Sequence, residues 1–345
     1  MTVTAPEAPA AEASKADGTR LVDRVFKMRE LAILLVFLVM IGITQAGNSE
    51  FLSEQGIKDL LLNATILILV ATGQSLVVIT RNVDLSVGST LGISAFAAGV
   101  YLQGGGNPVV AVVLAVLLGI GFGLLNGLLV SLGQVPALVV TLGTLYIIRG
   151  IDSIWVGSRQ ITAADLPEGF VDFGSGGLSA VPWLAMIALV VLVATAYYLK
   201  QYGSGRELYA LGSNPEAARL AGIPVRKRIL VAYTFCGALA GLAGALYLAR
   251  FGNVDSGTGN GYELTVVSAV VVGGVVFTGG SGSVYGAALG ALLLTSINSV
   301  LPALGVSSVW VLAINGILLL LAIAVDRVVA LRVASALKKR NARHA

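Results

Sequence analysis

Charge is scarce in this chain. Asp, Glu, Lys and Arg together make 12% of 345 residues, against 56% apolar. A soluble globular domain carries about 25% charged residues, so water cannot be the only solvent of this protein. Histidine occurs once, at His344, and cysteine once, at Cys236. That excludes a disulfide framework, a Cys–His nucleophilic pair and a clustered metal site. No G-x-x-x-x-G-K-[ST] sequence is present to cradle a nucleotide phosphate. The Gly279-Gly280-Ser281-Gly282-Ser283 run lacks the lysine and joins two apolar stretches, so it reads as a tight interhelical turn. The sequence therefore predicts a protein with no catalytic residues, metal or cofactor of its own.

What is present is a series of apolar runs near the roughly 20 residues needed to cross a bilayer. Ten are read, at 31–45, 60–80, 84–102, 108–131, 135–150, 182–199, 229–249, 263–278, 284–302 and 308–325. The fold class expected is all-α, a polytopic membrane protein with about ten transmembrane helices, some short or broken. Of 22 Lys and Arg, the N-terminal arm, Arg81, the 200–228 stretch and the tail after Asp326 hold all but Lys58, Arg149, Arg159 and Arg250. With ten spans those crowded segments share one face, which the positive-inside rule makes cytoplasmic. The net charge of +4 thus reports topology, and no nucleic-acid partner is implied. The organisation expected is a disordered cytoplasmic arm over 1–29 without a cleavable signal peptide, a membrane domain over 30–327 and a basic cytoplasmic tail over 328–345.

Gly119, Gly121, Gly123 and Gly127 crowd the fourth run, and Gly237, Gly241 and Gly244 the seventh. Small residues let membrane helices approach closely, so these are read as packing glycines. Acidic residues are assigned to tails, loops and span ends, which argues against a proton-driven carrier. Asp84 or Ser86 caps the third span, with Arg81 paired to Asp84 across the turn. Neutral polar groups do enter the runs. Asn63, Gln74, Asn126, Thr141, Thr144, Asn298 and Asn315 are the candidates for a translocation path, since amides and hydroxyls suit brief contact with a polyhydroxylated solute. Interhelical hydrogen bonding uses the same residues. A weak repeat at an offset of 198 maps Gly88, Leu91 and Gly92 onto Gly286, Leu289 and Gly290.

The 203–228 segment stands apart as a basic insert between two spans. Asn214 is an N-cap, Pro215 suits the first helical turn, and Gly222 ends the helix. Within it Glu216-Ala217-Ala218 and Gly222 form an E-A-A-x-x-x-G pattern. A short cytoplasmic helix there is placed to dock into another protein.

Four stretches together resemble the permeases of bacterial ribose/xylose/galactoside-type ABC importers. They are Asp84-Leu85-Ser86-Val87-Gly88-Ser89, the 211–223 segment, Gly257-Thr258-Gly259-Asn260-Gly261-Tyr262-Glu263-Leu264 and the glycine-rich 272–283 run. The 136–150 stretch is similar to the rhamnose and autoinducer-2 branch. Ile223-Pro224-Val225 and Val276-Phe277-Thr278 depart from the usual patterns. The resemblance implies a two-subunit pore completed by a second permease copy or paralogue. It further implies an ATP-binding ABC subunit docked on Gly212, Asn214, Pro215, Glu216, Ala217, Ala218, Arg219 and Gly222. An extracytoplasmic sugar-binding protein would then face the 151–181 loop, with Asp152, Trp155, Asp165, Glu168 and Asp172. The function implied is ATP-driven import of a neutral monosaccharide or sugar-like solute across the cell membrane. A stand-alone secondary carrier or facilitator for a small polar solute is the alternative.

Overall fold

The computed structural model describes residues 33–303, with Leu31 and scattered positions between 307 and 324. The predicted arm, the tail and Asn315 lie outside the described residues. The helices are α1 (Ile33–Gly47), α2 (Glu54–Ile79), α3 (Val87–Gln103), α4 (Pro108–Ser131), α5 (Ala137–Val156), α6 (Glu168–Ser175), α7 (Trp183–Gln201), α8 (Gly203–Ser213), α9 (Pro215–Leu220), α10 (Val225–Phe251), α11 (Tyr262–Val272) and α12 (Val284–Ala303). A two-strand hairpin, Gly177–Leu178 with Val181–Pro182, sits between α6 and α7. The protein is an all-α polytopic membrane protein. Six helices, α2, α4, α5, α7, α10 and α12, are long and apolar enough to cross a membrane, and α1, α3 and α11 are shorter apolar helices.

α10 is the centre of the bundle and packs on α4, α3 and α2. Its contact with α4 is a stripe of small residues four apart. Any Cβ at Gly119 would meet the backbone of Gly237 and Gly241, one at Gly123 the backbone of Tyr233, and one at Gly127 that of Leu230. Gly121 faces away, with nothing within 4 Å. The stripe works because four-residue spacing keeps one face of a helix in contact. Gly244 makes the same close approach to α3 at Leu91 and Ala95.

Three irregular segments penetrate this helical frame. After α2 the chain turns back, and its 83–86 stretch lies buried beside Gln74. That is about 7.5 Å up the helix from its end. Residues 254–259 run down along α3. Ile161, bridged to Val254, touches Gly99, Thr258 lies against Gly92, and Gly259 against Gly88. α11 then starts part-way through the bundle and has 11 residues, about 16 Å. The eighth predicted span, 263–278, is therefore half helix. It stops at Val272, and Gly274 with φ 96° sends the chain into an irregular return over 273–283. Non-helical backbone is tolerated at such depth only where protein covers it. α12 begins at Val284, close to where the 198-residue offset places the counterpart of Val87. The matched glycines share a role: Gly88 and Gly92 receive the 258–259 backbone, and Gly286 and Gly290 lie against Gly273 and Ala269.

Two sequence expectations change here. α5 runs on to Val156, so Asp152 and Trp155, expected in the 151–181 outer loop, lie inside a helix together with Arg149. Asp84 and Asp152 are both buried, so carboxylates do enter the bundle. The fifth apolar run ends at 150, ahead of Asp152, but Arg149 and Asp152 face each other one turn apart at 3.8 Å. Arg149 also donates to the Thr258 carbonyl at 2.7 Å, stapling the 254–259 segment to α5.

Candidate functional site: the α8–α9 element and its buried anchor

The 200–228 residues gather at one end of the bundle, called here the basic end. α9 forms there for local reasons. Asn214 Oδ1 accepts from the Glu216 and Ala217 amides at 3.1 and 3.0 Å, and Pro215 fills the first position. At the other end Ile223 N donates to Ala218 O and Gly222 N to Arg219 O, at 3.0 and 3.1 Å. That pair of bonds closes the helix with Gly222 at φ 81°, a left-handed position that favours glycine. The exposed side of α9 carries Glu216, Ala217, Arg219 and Leu220. Leu220 is 85% exposed, and Ala218, in contrast, is 4% exposed and packs inward. Ala218 therefore belongs to the support of the helix, not to its outer surface. Glu216 and Arg219 are not paired with each other.

α8 ties this surface to the bundle. Gly212 lies so close to Ile79 O and Gly280 N that no Cβ fits, and Gly280 N itself donates to Ile79 O at 2.9 Å. Tyr209 donates to Gly282 O at 3.1 Å, and burial pushes its hydroxyl up to about 12. Arg81 reaches across and donates to the carbonyls of Gly212 and, at 2.6 Å, Ser213. These are the last two residues of α8, immediately before the α9 cap. The turns α2–α3 and α11–α12, matched by the sequence repeat, thus meet on α8.

Arg81 does not pair with Asp84 as the sequence predicted; its guanidinium is turned the other way. Its backbone shows why it is unusual. Asn82 N bonds to Val77 O and Arg81 N to Val78 O, the same terminal pattern as at Gly222. Yet the left-handed residue here is arginine, with φ 65°, at a cost of about 1 kcal/mol or more relative to glycine. Strain retained at one side chain points to a job for that side chain.

Beyond Arg81 the same loop enters a buried polar node. Asp84 Oδ1 accepts from Ser86 N and Ser86 Oγ at 2.9 and 2.7 Å, and from Asn126 Nδ2 at 3.3 Å. Asn126 also donates to Ser86 Oγ at 2.8 Å. The Gln74 amide, oriented to satisfy both its ends, accepts from Asp84 N at 3.1 Å and donates to Asp84 O at 3.3 Å. Thr141 and Tyr233 donate to Val83 O at 3.3 and 3.1 Å. The Ser86 side chain accepts from no backbone amide of α3's first turn; Asp84 instead folds the chain just ahead of the helix.

Of the predicted path residues, the structure brings Gln74, Asn126 and Thr141 into this node. Thr144 makes only bonds within α5, at 3.1 and 3.3 Å. Asn63 is half-buried on α2 and Asn298 exposed on α12, away from the node. The node holds an irregular segment, so its amides serve architecture. Asn126→Leu should therefore lower the thermal stability of the purified protein by about 1–3 kcal/mol, the cost of stranding buried partners. An unchanged melting temperature with lost transport would instead make Asn126 a solute ligand.

At the opposite end, α6 and the Thr162–Asp165 turn cover the bundle. Bonds from the Thr162 amide and hydroxyl and from Gln103 hold the Asp165 carboxyl below its usual range. Trp155 stacks edge-on against Phe96 at 5.2 Å. Asp152, expected on this outer surface, is not part of it.

Broken helices, a buried polar node and a rigidly tied exterior helix define a membrane permease fold. The chain belongs to the family described as branched-chain amino acid transport system / permease component, which matches residues 56–323. It is a multi-pass membrane protein and a permease component of a transport system. Among similar proteins is the autoinducer 2 import system permease protein LsrC of Enterobacter sp. (strain 638), 38% identical over 302 residues, 88% of each chain. Proteins of the same name from Salmonella paratyphi B and Escherichia coli O157:H7 are 37% identical, over 85% and 86% of this chain and 84% and 86% of theirs. No solved structure matches this chain.

Proposed function

We propose that this chain is the membrane subunit of an ATP-driven importer, with α9 as the contact through which a separate ATP-binding subunit drives the pore. The observation that carries this reading is the α8–α9 element: an exterior helix capped at both ends and tied to two interhelical turns by Gly212 and Arg81. A partner can move a pore only through rigid contact, and a push on α9 reaches the 83–86 segment through that tie. The solute is a neutral monosaccharide or sugar-like molecule, a reading that the 37–38% identity to permeases named for autoinducer 2 import supports. It crosses between this chain and a second permease copy or paralogue after delivery by an extracytoplasmic binding protein. Gln74 and Asn126 are already engaged by the node, so among the described path candidates Asn298 and Asn63 are the amides left for the solute.

The basic end is cytoplasmic in this reading, as are both termini. Maleimide labelling of Ser213→Cys and Ser175→Cys, each in a Cys236→Ser background, should give opposite sidedness. The same sidedness at both positions rejects this orientation. Asn298→Leu should reduce solute uptake several-fold with normal assembly, measured as uptake against membrane-inserted protein; unchanged uptake places the path elsewhere.

A further inference from the structure

We infer that the basic end carries a binding site for the headgroup of an anionic phospholipid, in the cavity between α7, α8 and the start of α12. The cavity has a volume of about 550 Å³. Its inner wall is apolar, from Ala196, Leu199 and Val284, and its rim carries Lys200, Arg206 and Tyr285. Among the described residues no carboxylate lines it. Glu207, next to Arg206 in the chain, is taken by Arg228 at 2.5 Å.

The position is that of a lipid headgroup. Lys200 lies in the last turn of α7, a helix long and apolar enough to cross the membrane. Tyr197 and Tyr202, exposed and ring-to-ring at 6.2 Å, belong to the same level, where aromatic side chains favour the membrane–water boundary. Arg206 is held in place. Its Nη1 donates to the carbonyls of Lys200 and Gln201 at 3.2 and 3.0 Å, which leaves the rest of its fork for a phosphate. A planar guanidinium fixed in this way recognises phosphate oxygens better than a mobile cation does. An apolar wall against the acyl chains below two cations is the arrangement that basic interhelical pockets use for anionic lipid headgroups. A soluble anion would gain nothing from Ala196, Leu199 and Val284.

The test uses the full chain, reconstituted in nanodiscs of equal phosphatidylglycerol and phosphatidylcholine, released into mild detergent and read by native mass spectrometry. The wild type should retain phosphatidylglycerol over phosphatidylcholine. Lys200→Gln/Arg206→Gln should lower that retention about thirty-fold, on the basis of two cations near the headgroups. Ala196→Phe keeps both charges, fills the apolar wall and should lower it as well. Equal phosphatidylglycerol retention by wild type and the double variant overturns the proposal. So does loss in the double variant with full retention in Ala196→Phe, which would leave only diffuse surface charge. Displacement of the lipid by excess inorganic phosphate would make the site one for a free anion. A Tyr285→Cys cross-link between two copies would assign the cavity to a second chain. Either result rejects the lipid. None of these readouts depends on transport, so the site stands or falls apart from the import reading.

Discussion

Gly119→Val should leave little folded protein, whereas Gly121→Val two residues away should be tolerated. A Cβ at 119 would press into the backbone of Gly237 and come within 2.9 Å of Gly241 N. Backbone cannot rotate out of the way as a side chain can, so α4 and α10 would have to separate along the whole stripe. α10 also carries the contacts to α2 and α3, so the damage would spread through the centre of the bundle. Overpacking in a core costs about 1–3 kcal/mol even where neighbours adjust, and here they cannot. Gly121 has nothing within 4 Å, which makes it the control for β-branching in the same helix. Size-exclusion profiles of detergent extracts would check this. A monodisperse Gly119→Val protein would mean that the helices do not meet along this stripe.

Arg81→Gly should uncouple the permease without unfolding it. Glycine suits the φ of 65° better than arginine does, so the end of α2 should be relaxed by about 1 kcal/mol. What disappears is the pair of bonds to the carbonyls of Gly212 and Ser213. With them goes the side-chain tie between α8 and the loop that holds Asp84. Uptake should fall at least ten-fold while the ATP-binding subunit still co-purifies, and hydrolysis should no longer respond to loaded binding protein. Arg81→Lys keeps one charged donor and should recover part of the response. A merely stabilising role for Arg81 predicts the reverse, a shifted melting temperature with normal stimulation.

α9 was legible because its chemistry is local, whereas α8, held by distant contacts to Ile79, Gly280 and Gly282, was not read as a helix. Asn214, Pro215 and Gly222 specify a cap, a first turn and a left-handed exit whatever surrounds them, and α9 spans 215–220 as those residues require. The glycine stripe was legible by its four-residue spacing in two runs, although the sequence could not separate Gly121 from its neighbours. Hydropathy failed where burial and helicity part company. Residues 273–276 are largely covered by protein and as apolar as a span while being irregular, and the 83–86 turn is covered although it carries Asp84 and Ser86. Asp84 looked like a span-end cap because a buried carboxylate with three donors, from Ser86 and Asn126, has no signature in one stretch of chain. The predicted span 135–150 stopped short of Asp152 for the same reason. Which face of α9 turns inward, Ala218 or Leu220, depends on what α8 packs against, and no periodicity in six residues reports that.

The claim that α9 is where an ATP-binding partner docks is tested most directly at Leu220. The side chain stands 85% exposed on a capped helix, so Leu220→Cys in a Cys236→Ser background leaves the fold alone and places one thiol on the contact. The chain would be co-expressed with the ATP-binding subunit of its transport system and treated with a short bifunctional thiol cross-linker. The expected product is a covalent pair of the two subunits, formed at Leu220→Cys and absent at Ser175→Cys. Cross-linking at Ser175→Cys but not at Leu220→Cys, with transport intact in Leu220→Asp, would contradict the account.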